Sequence, residues 1–216
     1  MQDRRIPEAT VARLPRYLQA LAEATEAGMT TVSSEELARA AGLTSAKVRK
    51  DLSFLGSYGT RGVGYQVAEL ATEISLVLGL SDDRPVVIVG VGNLGSALAN
   101  YDGLARRGFR VEALVDADPA KVGSRVAGRV VESVDELPRI VQQRGATIAV
   151  VAVPAPHAQE VVERLVDAGI TAVLNFAPTH LDAPEHVTVR TVDLSTELQI
   201  LSFYDQLEGE MPAPTA

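Results

Sequence analysis

Three glycines and one acid in this chain have the spacing of a dinucleotide-binding turn. The apolar run 86–89 leads directly into Gly90, Gly92 and Gly95, after which a helical pattern begins. Glycines at these places permit a tight turn, a close approach of the backbone to a pyrophosphate, and close packing of helix on sheet. The N–H groups at the start of the helix favour the diphosphate. Asp116 ends the next predicted strand, 21 residues after Gly95, where a carboxylate would accept ribose hydroxyls.

The same acid predicts the type of cofactor. No Arg follows Asp116 immediately to bind a 2′-phosphate, so NADH and NAD⁺ are favoured over their phosphorylated forms. The strands 147–153 and 171–176 should also end at this pocket, because ligands of open α/β sheets bind beyond the carboxyl ends of the strands. The predicted cofactor-binding residues are Gly90, Val91, Gly92, Asn93, Leu94, Gly95, Asp116, Val153, Pro154, Ala155, Asn175 and Phe176.

A second segment with chemical potential is basic. Residues 39–61 contain five Lys and Arg against one acid, whereas the whole chain has 20 Lys and Arg against 28 Asp and Glu, a net charge of −8. Two helical patterns, 34–41 and 45–55, are separated by a turn at Gly42, which is helix-turn-helix spacing. Lys47 and Lys50 lie three residues apart on the second helix, where basic groups can reach guanine edges and phosphates. We therefore predict a double-stranded DNA partner.

The glycine-spaced segment 56–65 has the length and turn residues of a β-hairpin. Arg61 lies between glycines at its expected tip, from which an arginine can enter a narrow A·T minor groove. Tyr58 and Thr60 could contact phosphates. The predicted DNA-binding residues are Ser45, Lys47, Arg49, Lys50, Ser53, Tyr58, Thr60 and Arg61.

The composition limits the other chemistries. The chain has no cysteine and three histidines, which excludes disulfides and Cys-ligated zinc or iron–sulfur sites, and we predict no metal site. No apolar run reaches the ~18 residues needed to cross a bilayer, and the segment after Met1 lacks an apolar signal core. We therefore expect no membrane partner and a cytoplasmic location.

The periodicities divide the chain into two domains and a terminal helix. After about residue 85, apolar Val and Ile runs alternate with helical segments, which is typical of a parallel sheet covered on both faces. The expected strands are 86–89, 109–115, 147–153, 171–176 and 187–192, and the expected helices between them are 94–107, 133–143 and 156–168. The predicted fold class is α/β, with a winged helix-turn-helix domain at 1–80, a Rossmann domain at 81–194, a last helix at 195–208 and a tail at 209–216.

Taken together, these motifs resemble the Rex family of redox-sensing transcriptional repressors. The resemblance covers roughly residues 5–207 and is carried by SAKVRKDLSFLG, SYGTRGVGY, VGVGNLGSALANY, VPAPHAQ, LNFAP and VDLSTELQILSF. It implies a homodimer whose Rossmann domains exchange C-terminal helices. It also implies that NAD⁺ allows binding to a palindromic operator and that NADH promotes release.

The resemblance further implies residues that act in switching or at the subunit interface. Arg16, Tyr101 and Asp193 match positions with switching contacts, while Leu194 departs from members that carry Phe beside the nicotinamide. The apolar side chains of the terminal helix are expected to contribute to the partner's pocket. The predicted switch and interface residues are Arg16, Tyr101, Asp193, Leu194, Leu198, Leu201 and Phe203.

Two other functions stay open from the residues alone. One is a small NAD-dependent oxidoreductase with an accessory helical domain, for which His157, His180, His186 and Lys121 are the candidate proton donors of the second half. This function needs additional structure to hold a substrate, and we predict that the chain is not an enzyme. The other is a CoA-binding or other nucleotide module that acts as a scaffold.

Overall fold

The structure is a computed structural model in which residues 6–56, 59–60 and 62–209 are described, with the backbone alone for 207–209. The chain folds as two units, Met1–Asp82 and Asp83–Ala216, called unit 1 and unit 2 below. In the described residues, no helix is long and apolar enough to cross a membrane.

Unit 1 is a helical bundle with a short two-stranded sheet. Its elements are α1 (Glu8–Val11), α2 (Leu14–Glu26), β1 (Thr31–Val32), α3 (Ser34–Ala41), α4 (Ser45–Leu55), β2 (Tyr65–Gln66) and α5 (Val67–Val77). The two strands pair antiparallel, so the chain returns to β1 after the segment that follows α4. Buried side chains from all four longer helices form one core, which is the arrangement a winged helix needs to hold its recognition helix.

Local sequence signals explain where these helices begin and end. Pro15 lies in the first turn of α2, where the N–H that proline lacks is not needed. Because proline disrupts the interior of a helix, α1 and α2 are separate helices. Ser33 and Glu36 form a reciprocal capping box at the start of α3, and the Thr44 hydroxyl accepts the N–H of Lys47 at the start of α4. Gly42 has a φ of 68°, a left-handed conformation that ends α3 and lets the chain turn into α4.

Unit 2 is a seven-stranded sheet with helices. Its elements are β3 (Arg84–Val89), α6 (Asn93–Ala99), α7 (Asp102–Ala105), β4 (Phe109–Asp116), β5 (Arg125–Val126), β6 (Arg129–Ser133), a short 3₁₀ turn (Val134–Glu136), α8 (Leu137–Arg144), β7 (Ile148–Val151), α9 (Ala155–Asp167), β8 (Ala172–Asn175), β9 (Thr188–Thr191) and α10 (Leu194–Gly209). The strand order is β5-β6-β4-β3-β7-β8-β9. All neighbours run parallel except β5 and β6, so the predicted Rossmann-type sheet is confirmed.

Alternate residues of β3 face two separate cores. Val87 and Val89 pack with α8 and α9, whereas Val86 and Ile88 belong to a cluster on the opposite face. That second cluster is less well covered, because Leu174 and Phe176 at the β8 end are only partly buried. The sheet therefore has one fully covered face and one that is covered mainly near β3 and β4.

Two expectations about unit 2 need correction, and one pair of strands was not predicted. The helix expected at 94–107 is two helices, because Tyr101 has extended backbone angles and interrupts the pattern after α6. The strand expected at 147–153 is shorter, Ile148–Val151, and the following residues form the loop into α9. The hairpin of β5 and β6 was not predicted, because its strands are short and mix charged with apolar residues, with no apolar run longer than Val130-Val131.

Candidate functional site

The three glycines of the predicted turn have three different surroundings. Gly90 has a φ of +94°, and a Cβ there would lie 2.6 Å from the carbonyl oxygen of Ala152. A Cβ on Gly95 would overlap the carbonyl oxygen of Gly90, so this glycine lets α6 approach the turn. A Cβ on Gly92 would meet nothing within 4 Å. Gly92 is thus the one of the three with open space, at the place where the fingerprint expects a pyrophosphate.

This turn lies at one end of a cleft of about 500 Å³ beyond the carboxyl ends of β3, β4 and β7. The residues around the cleft are Val89, Gly90, Gly92, Asp116, Ala117, Asp118, Lys121, Val134, Ala152, Val153, Pro154, His157 and Val161. Five predicted cofactor residues, Gly90, Gly92, Asp116, Val153 and Pro154, are therefore brought together. The helix α6 begins beside it with Gly92 as N-cap, which has no side chain to occupy the first N–H groups.

Asp116 is only 7% exposed, yet its carboxylate reaches the cleft. Oδ2 accepts the backbone N–H of Val91 at 2.7 Å and the Lys121 ammonium at 3.0 Å, while Oδ1 accepts the N–H of Asp118 at 2.9 Å. Burial opposes ionisation, but the two N–H groups and Lys121 outweigh it and hold the pKa of Asp116 below its usual value. The carboxylate is therefore charged at neutral pH, and Oδ1 keeps capacity for another donor such as a hydroxyl.

The other predicted cofactor residues have varied positions. Asn93 and Leu94 are exposed at the start of α6, while Val91 and Gly95 are buried in the turn. Ala155 begins α9, and Phe176 packs partly buried against the less covered face of the sheet. These assignments stay predictions.

Asn175 is fully buried and faces into the protein. Its amide donates to the carbonyl oxygens of Ala177 at 3.0 Å and Thr179 at 3.2 Å, and its Oδ1 accepts the N–H of Ala177 at 2.8 Å. The side chain thus holds the loop after β8 in shape. Direct contact of Asn175 with a cofactor stays a prediction.

Sequence reasoning missed several residues of the cleft. Lys121 and His157 were considered only as proton donors, yet both lie around the cleft. The sequence did contain a signal for Lys121, which follows Asp116 by only five residues. A segment this short keeps Lys121 near the end of β4. Val134 and Val161 gave no signal, because apolar residues at helical spacing are indistinguishable from ordinary core.

Helix α4 has the exposure expected of a recognition helix. Lys47 and Lys50 are exposed, while Val48 and Leu52 on the same helix are fully buried. Ser45 is partly buried at the first position of the helix, and the hydroxyl of Ser53 donates to the carbonyl oxygen of Lys50 at 2.7 Å. The two lysines therefore remain the strongest candidates for contact with DNA.

Arg49 has partners that its sequence position did not reveal. One guanidinium nitrogen donates to the hydroxyl of Ser34 at 2.8 Å and to Glu35 at 3.2 Å. These bonds join α4 to α3, the two helices of the helix-turn-helix. Because Glu35 is an exposed acid, contact of Arg49 with a phosphate would compete with this ion pair.

The predicted wing is described only in part. Thr60 and Gly64 exchange backbone hydrogen bonds, with the N–H of Thr60 donating at 2.8 Å and that of Gly64 donating at 2.9 Å. Gly64 has a φ of +97°, and a Cβ there would overlap the carbonyl oxygen of Val32. A tight turn thus faces β1 at this point. Tyr58 and Arg61 lie outside the described residues.

Asp51 is the most buried charged group of unit 1 among the described residues, with 1% of its surface exposed. Its carboxylate accepts the hydroxyl of Thr10 at 3.0 Å, the hydroxyl of Tyr17 at 2.7 Å and two N–H groups of Arg13. Burial of the carboxyl opposes ionisation, but these donors hold the pKa of Asp51 below its ordinary value. The sequence showed Asp51 only as the single negative charge of a basic segment.

The predicted switch residues occupy both units. Arg16 is exposed on α2, and Tyr101 is 52% exposed with its ring against Gly103. The carboxylate of Asp193 accepts the N–H and hydroxyl of Ser195 and the hydroxyl of Thr196, which caps the start of α10. These bonds hold the pKa of Asp193 below its ordinary value. A role in switching stays a prediction for all three.

Helix α10 exposes its apolar side chains. Leu194, Leu198, Leu201 and Phe203 are each 59–65% exposed, and Ile200 and Tyr204 are also open to solvent. An exposed apolar cluster of this kind usually marks a contact with another molecule.

The two units match two different family models. Residues 81–179 match the model of the CoA binding domain, and residues 5–53 match a model described as "Putative DNA-binding protein N-terminus". The chain is 63% identical to the redox-sensing transcriptional repressor Rex of Streptomyces coelicolor, covering 95% of this chain and 80% of the relative. It is 46% identical to the Rex of Carboxydothermus hydrogenoformans, covering 94% and 98% respectively.

Solved structures of one relative superpose on nearly the whole of this chain. The Rex-family repressor RSP in complex with NAD⁺ and operator DNA has a TM-score of 0.86 at 33% identity, covering 96% of this chain and 99% of that one. RSP in complex with NADH has a TM-score of 0.84 at 32% identity, covering 95% and 96%. These relatives match both units in the same order along the chain. The chain therefore belongs to the Rex family of redox-sensing transcriptional repressors.

Proposed function

We propose that this chain is a redox-sensing repressor that binds operator DNA through unit 1 and leaves it when NADH occupies unit 2. The observation that carries this proposal is the open space at Gly92 above a cleft that contains an ionised Asp116. Gly92 and the start of α6 would hold the diphosphate, and Asp116 would accept a ribose hydroxyl. RSP, a relative of the same fold, has been solved with both forms of the cofactor and with operator DNA.

We expect the site to favour NADH over NAD⁺ and over CoA. The oxidised nicotinamide ring is a cation and the reduced ring is neutral, so a ring pocket formed in part by the apolar side chains of the partner's α10 would bind the reduced form better. CoA carries a phosphate on its adenosine ribose, and the negative charge of Asp116 would repel it. The match of unit 2 to the CoA binding domain therefore supports the nucleotide fold, while Asp116 favours the unphosphorylated ribose.

We also propose a homodimer in which α10 covers the other subunit. Leu198, Leu201 and Phe203 of α10 are exposed, while Leu174 and Phe176 leave one face of the sheet only partly covered. An exposed apolar helix and an incompletely covered sheet in the same chain are complementary, and a symmetric pair would bury both. We propose that the partner's helix contacts the nicotinamide ring and thereby senses which form of the cofactor is bound.

We propose that the cofactor is bound and released without being turned over. His157 and Lys121 lie around the cleft, but Lys121 is already bonded to Asp116. Regulation needs only a difference in cofactor affinity between two states of the dimer. Moving the dimer from 1:99 to 99:1 requires about 5.5 kcal/mol of differential binding. A repressor of this kind acts on the chromosome, which implies a cytoplasmic location.

A mobility-shift titration tests the function. A palindromic probe with A·T-flanked half-sites is bound by the full-length protein and titrated separately with NADH, NAD⁺, NADPH and CoA. NADH should release the probe at the lowest concentration, whereas NAD⁺ should permit binding. Release by CoA at lower concentration than NADH would contradict the proposal. Oxidation of NADH by an aldehyde, or reduction of NAD⁺ by a hydroxyacid, would also contradict it.

A further inference from the structure

We infer that Asp51 is a positioning residue for DNA recognition. It fixes the rotation of α4 about its axis and its position along that axis relative to α1 and α2, and therefore fixes where Lys47 and Lys50 lie. This inference rests on the proposed function. Asp51 itself is 1% exposed, so it has no surface with which to contact DNA. Its effect on recognition therefore passes through the helix that carries it.

The hydrogen bonds around Asp51 come from three places on the chain. Thr10 lies in α1, Arg13 lies at the junction of α1 and α2, and Tyr17 lies in α2. Oδ1 accepts from Thr10 and from Arg13 at 2.7 Å, and Oδ2 accepts from Arg13 and from Tyr17 at 2.7 Å. Two donors at each oxygen fill the usual acceptor capacity of a carboxylate.

The hydrogen bonds of Asp51 are directional, whereas the apolar contacts of α4 are not. Val48 and Leu52 are fully buried on the same helix, but apolar burial is non-directional and tolerates small rotations or shifts. The paired bonds from the planar guanidinium of Arg13 fix both distance and direction. A shift of α4 along its axis or a rotation about it would stretch several of these bonds at once.

The same helix carries the candidate DNA contacts on its exposed surface. Lys50 directly precedes Asp51, and Lys47 lies about one turn earlier. Recognition of base edges depends on close hydrogen-bond geometry, whereas attraction to phosphates depends mainly on charge and is more tolerant of position. Loss of the Asp51 bonds should therefore reduce discrimination between sequences more than it reduces attraction to DNA in general.

The test compares operator and non-specific DNA for Asp51→Asn in the full-length protein. The expected result is a loss of about tenfold in operator affinity, with affinity for a scrambled duplex changed by less than about twofold and an unchanged salt slope. Tyr17→Phe removes one bond and keeps the ring, so it should give a smaller loss of the same kind. All measurements are made well below each variant's unfolding temperature.

Two controls separate positioning from general weakening of unit 1. Ile74→Val and Ile74→Ala remove buried apolar volume from α5 without changing the Asp51 bonds. These variants should lower the unfolding temperature and keep the ratio of operator to scrambled affinity. If Asp51→Asn does not fold, Tyr17→Phe and Thr10→Val provide the same measurement.

Specific outcomes overturn the inference. Asp51→Asn, Tyr17→Phe and Thr10→Val with wild-type affinity ratios would show that α4 is placed without these bonds. Equal loss for operator and scrambled DNA, or an equal loss of ratio in the Ile74 variants, would show a structural role only. If the wild-type protein itself shows no operator preference or no response to NADH, the proposed function fails instead.

Discussion

The carboxylate of Asp116 accepts the backbone N–H of Val91 at 2.7 Å, so the acid at the end of β4 is bonded directly to the turn after β3. The residue expected to select the ribose therefore also shapes the loop expected to bind the diphosphate. An Asn at 116 keeps the volume but removes the charge that attracts the N–H groups and Lys121.

We predict that Asp116→Asn weakens NADH binding by about 1–3 kcal/mol and narrows the preference for NADH over NADPH, since bonds to charged groups have about this strength. Isothermal calorimetry with each cofactor measures both effects. Asp167→Asn is the matched control, because Asp167 is an exposed acid in the last turn of α9, whereas the cleft residues of that helix, His157 and Val161, lie in its first half. Unchanged affinities in Asp116→Asn would remove this residue from the site.

Alanine substitutions at Gly92 and Gly95 should have different effects: the first should weaken NADH binding and the second should destabilise unit 2. Gly92 has a φ of −84° and open space at its Cβ position, so Gly92→Ala should fold normally but lose about 1–3 kcal/mol of NADH affinity through the intruding methyl group. Gly95→Ala places a methyl group against the carbonyl oxygen of Gly90 and should destabilise unit 2 by about 3 kcal/mol. Calorimetric unfolding measures the stability of both variants, and titration with NADH measures their affinity. Wild-type NADH affinity in Gly92→Ala would contradict a diphosphate contact at Gly92, and wild-type stability in Gly95→Ala would contradict the packing role of Gly95.

On the recognition helix, Lys50→Ala should cost about 1–3 kcal/mol of operator affinity, and Lys47→Ala should have a similar effect. Neither change should alter NADH binding, because the cleft is formed by residues of unit 2. Arg39→Ala provides the control for charge alone, since Arg39 is exposed on α3 and its replacement removes the same charge. Full operator binding by the Lys47→Ala/Lys50→Ala double variant would refute the assignment of α4.

The stability of unit 1 should fall in acid through Asp51. Its pKa in the folded state is lower than in the unfolded state, so its contribution is present above the unfolded pKa of about 3.9 and is lost as pH falls through the folded value. At neutral pH we expect Asp51→Asn to cost about 3 kcal/mol, the scale for breaking a buried ion pair. The difference between wild type and variant should shrink below about pH 4.

Scanning calorimetry with saturating NAD⁺ can isolate this effect, because NAD⁺ is stable in acid whereas NADH decomposes. NAD⁺ raises the unfolding temperature of unit 2 by mass action, which should separate its transition from that of unit 1. A difference between wild type and Asp51→Asn that stays constant down to about pH 3 would show that the ionised carboxylate is not the stabilising form.

Helix α10 should control both assembly and response. Leu198→Glu and Leu201→Glu place charges on the exposed apolar helix and should give a monomer or a weak dimer by sedimentation. Their remaining DNA binding should no longer respond to NADH. Gln199→Glu adds the same charge at an exposed polar position of the same helix and should behave like wild type. A Leu201→Glu variant that stays dimeric and is released by NADH would show that coupling runs elsewhere.

The parts that the sequence predicted best are those with strong local signals. Helices α3 and α4 have the predicted ranges 34–41 and 45–55, because their caps act on neighbouring residues. The Val and Ile runs marked the parallel strands for the same reason. The glycine fingerprint gave the turn for the same reason. The β5–β6 hairpin escaped prediction, since its pairing depends on a partner strand and not on its own composition.

The roles of individual polar residues were harder to predict. Asn175 ends a strand at the expected place, yet its amide faces inward because the following loop needs its hydrogen bonds. Arg49 lies in a DNA-binding motif, yet its closest partners are Ser34 and Glu35 on α3. Asp51 depends on donors 34 to 41 residues away. Such long-range contacts leave no spacing pattern in a single sequence.

The burial of Asp51 also changes how the charge of the chain should be counted. Along the sequence, Asp51 offsets Lys50, but in the fold it is enclosed and neutralised by Arg13, while Lys50 faces water. Residues 1–80 carry nine basic and nine acidic groups, and residues 81–216 carry eleven and nineteen. The molecule is therefore electrically asymmetric: it should bind an anion exchanger through its acidic half and still attract a polyanion through α4. An isoelectric point near 4.9 describes the average of these two surfaces and neither one of them.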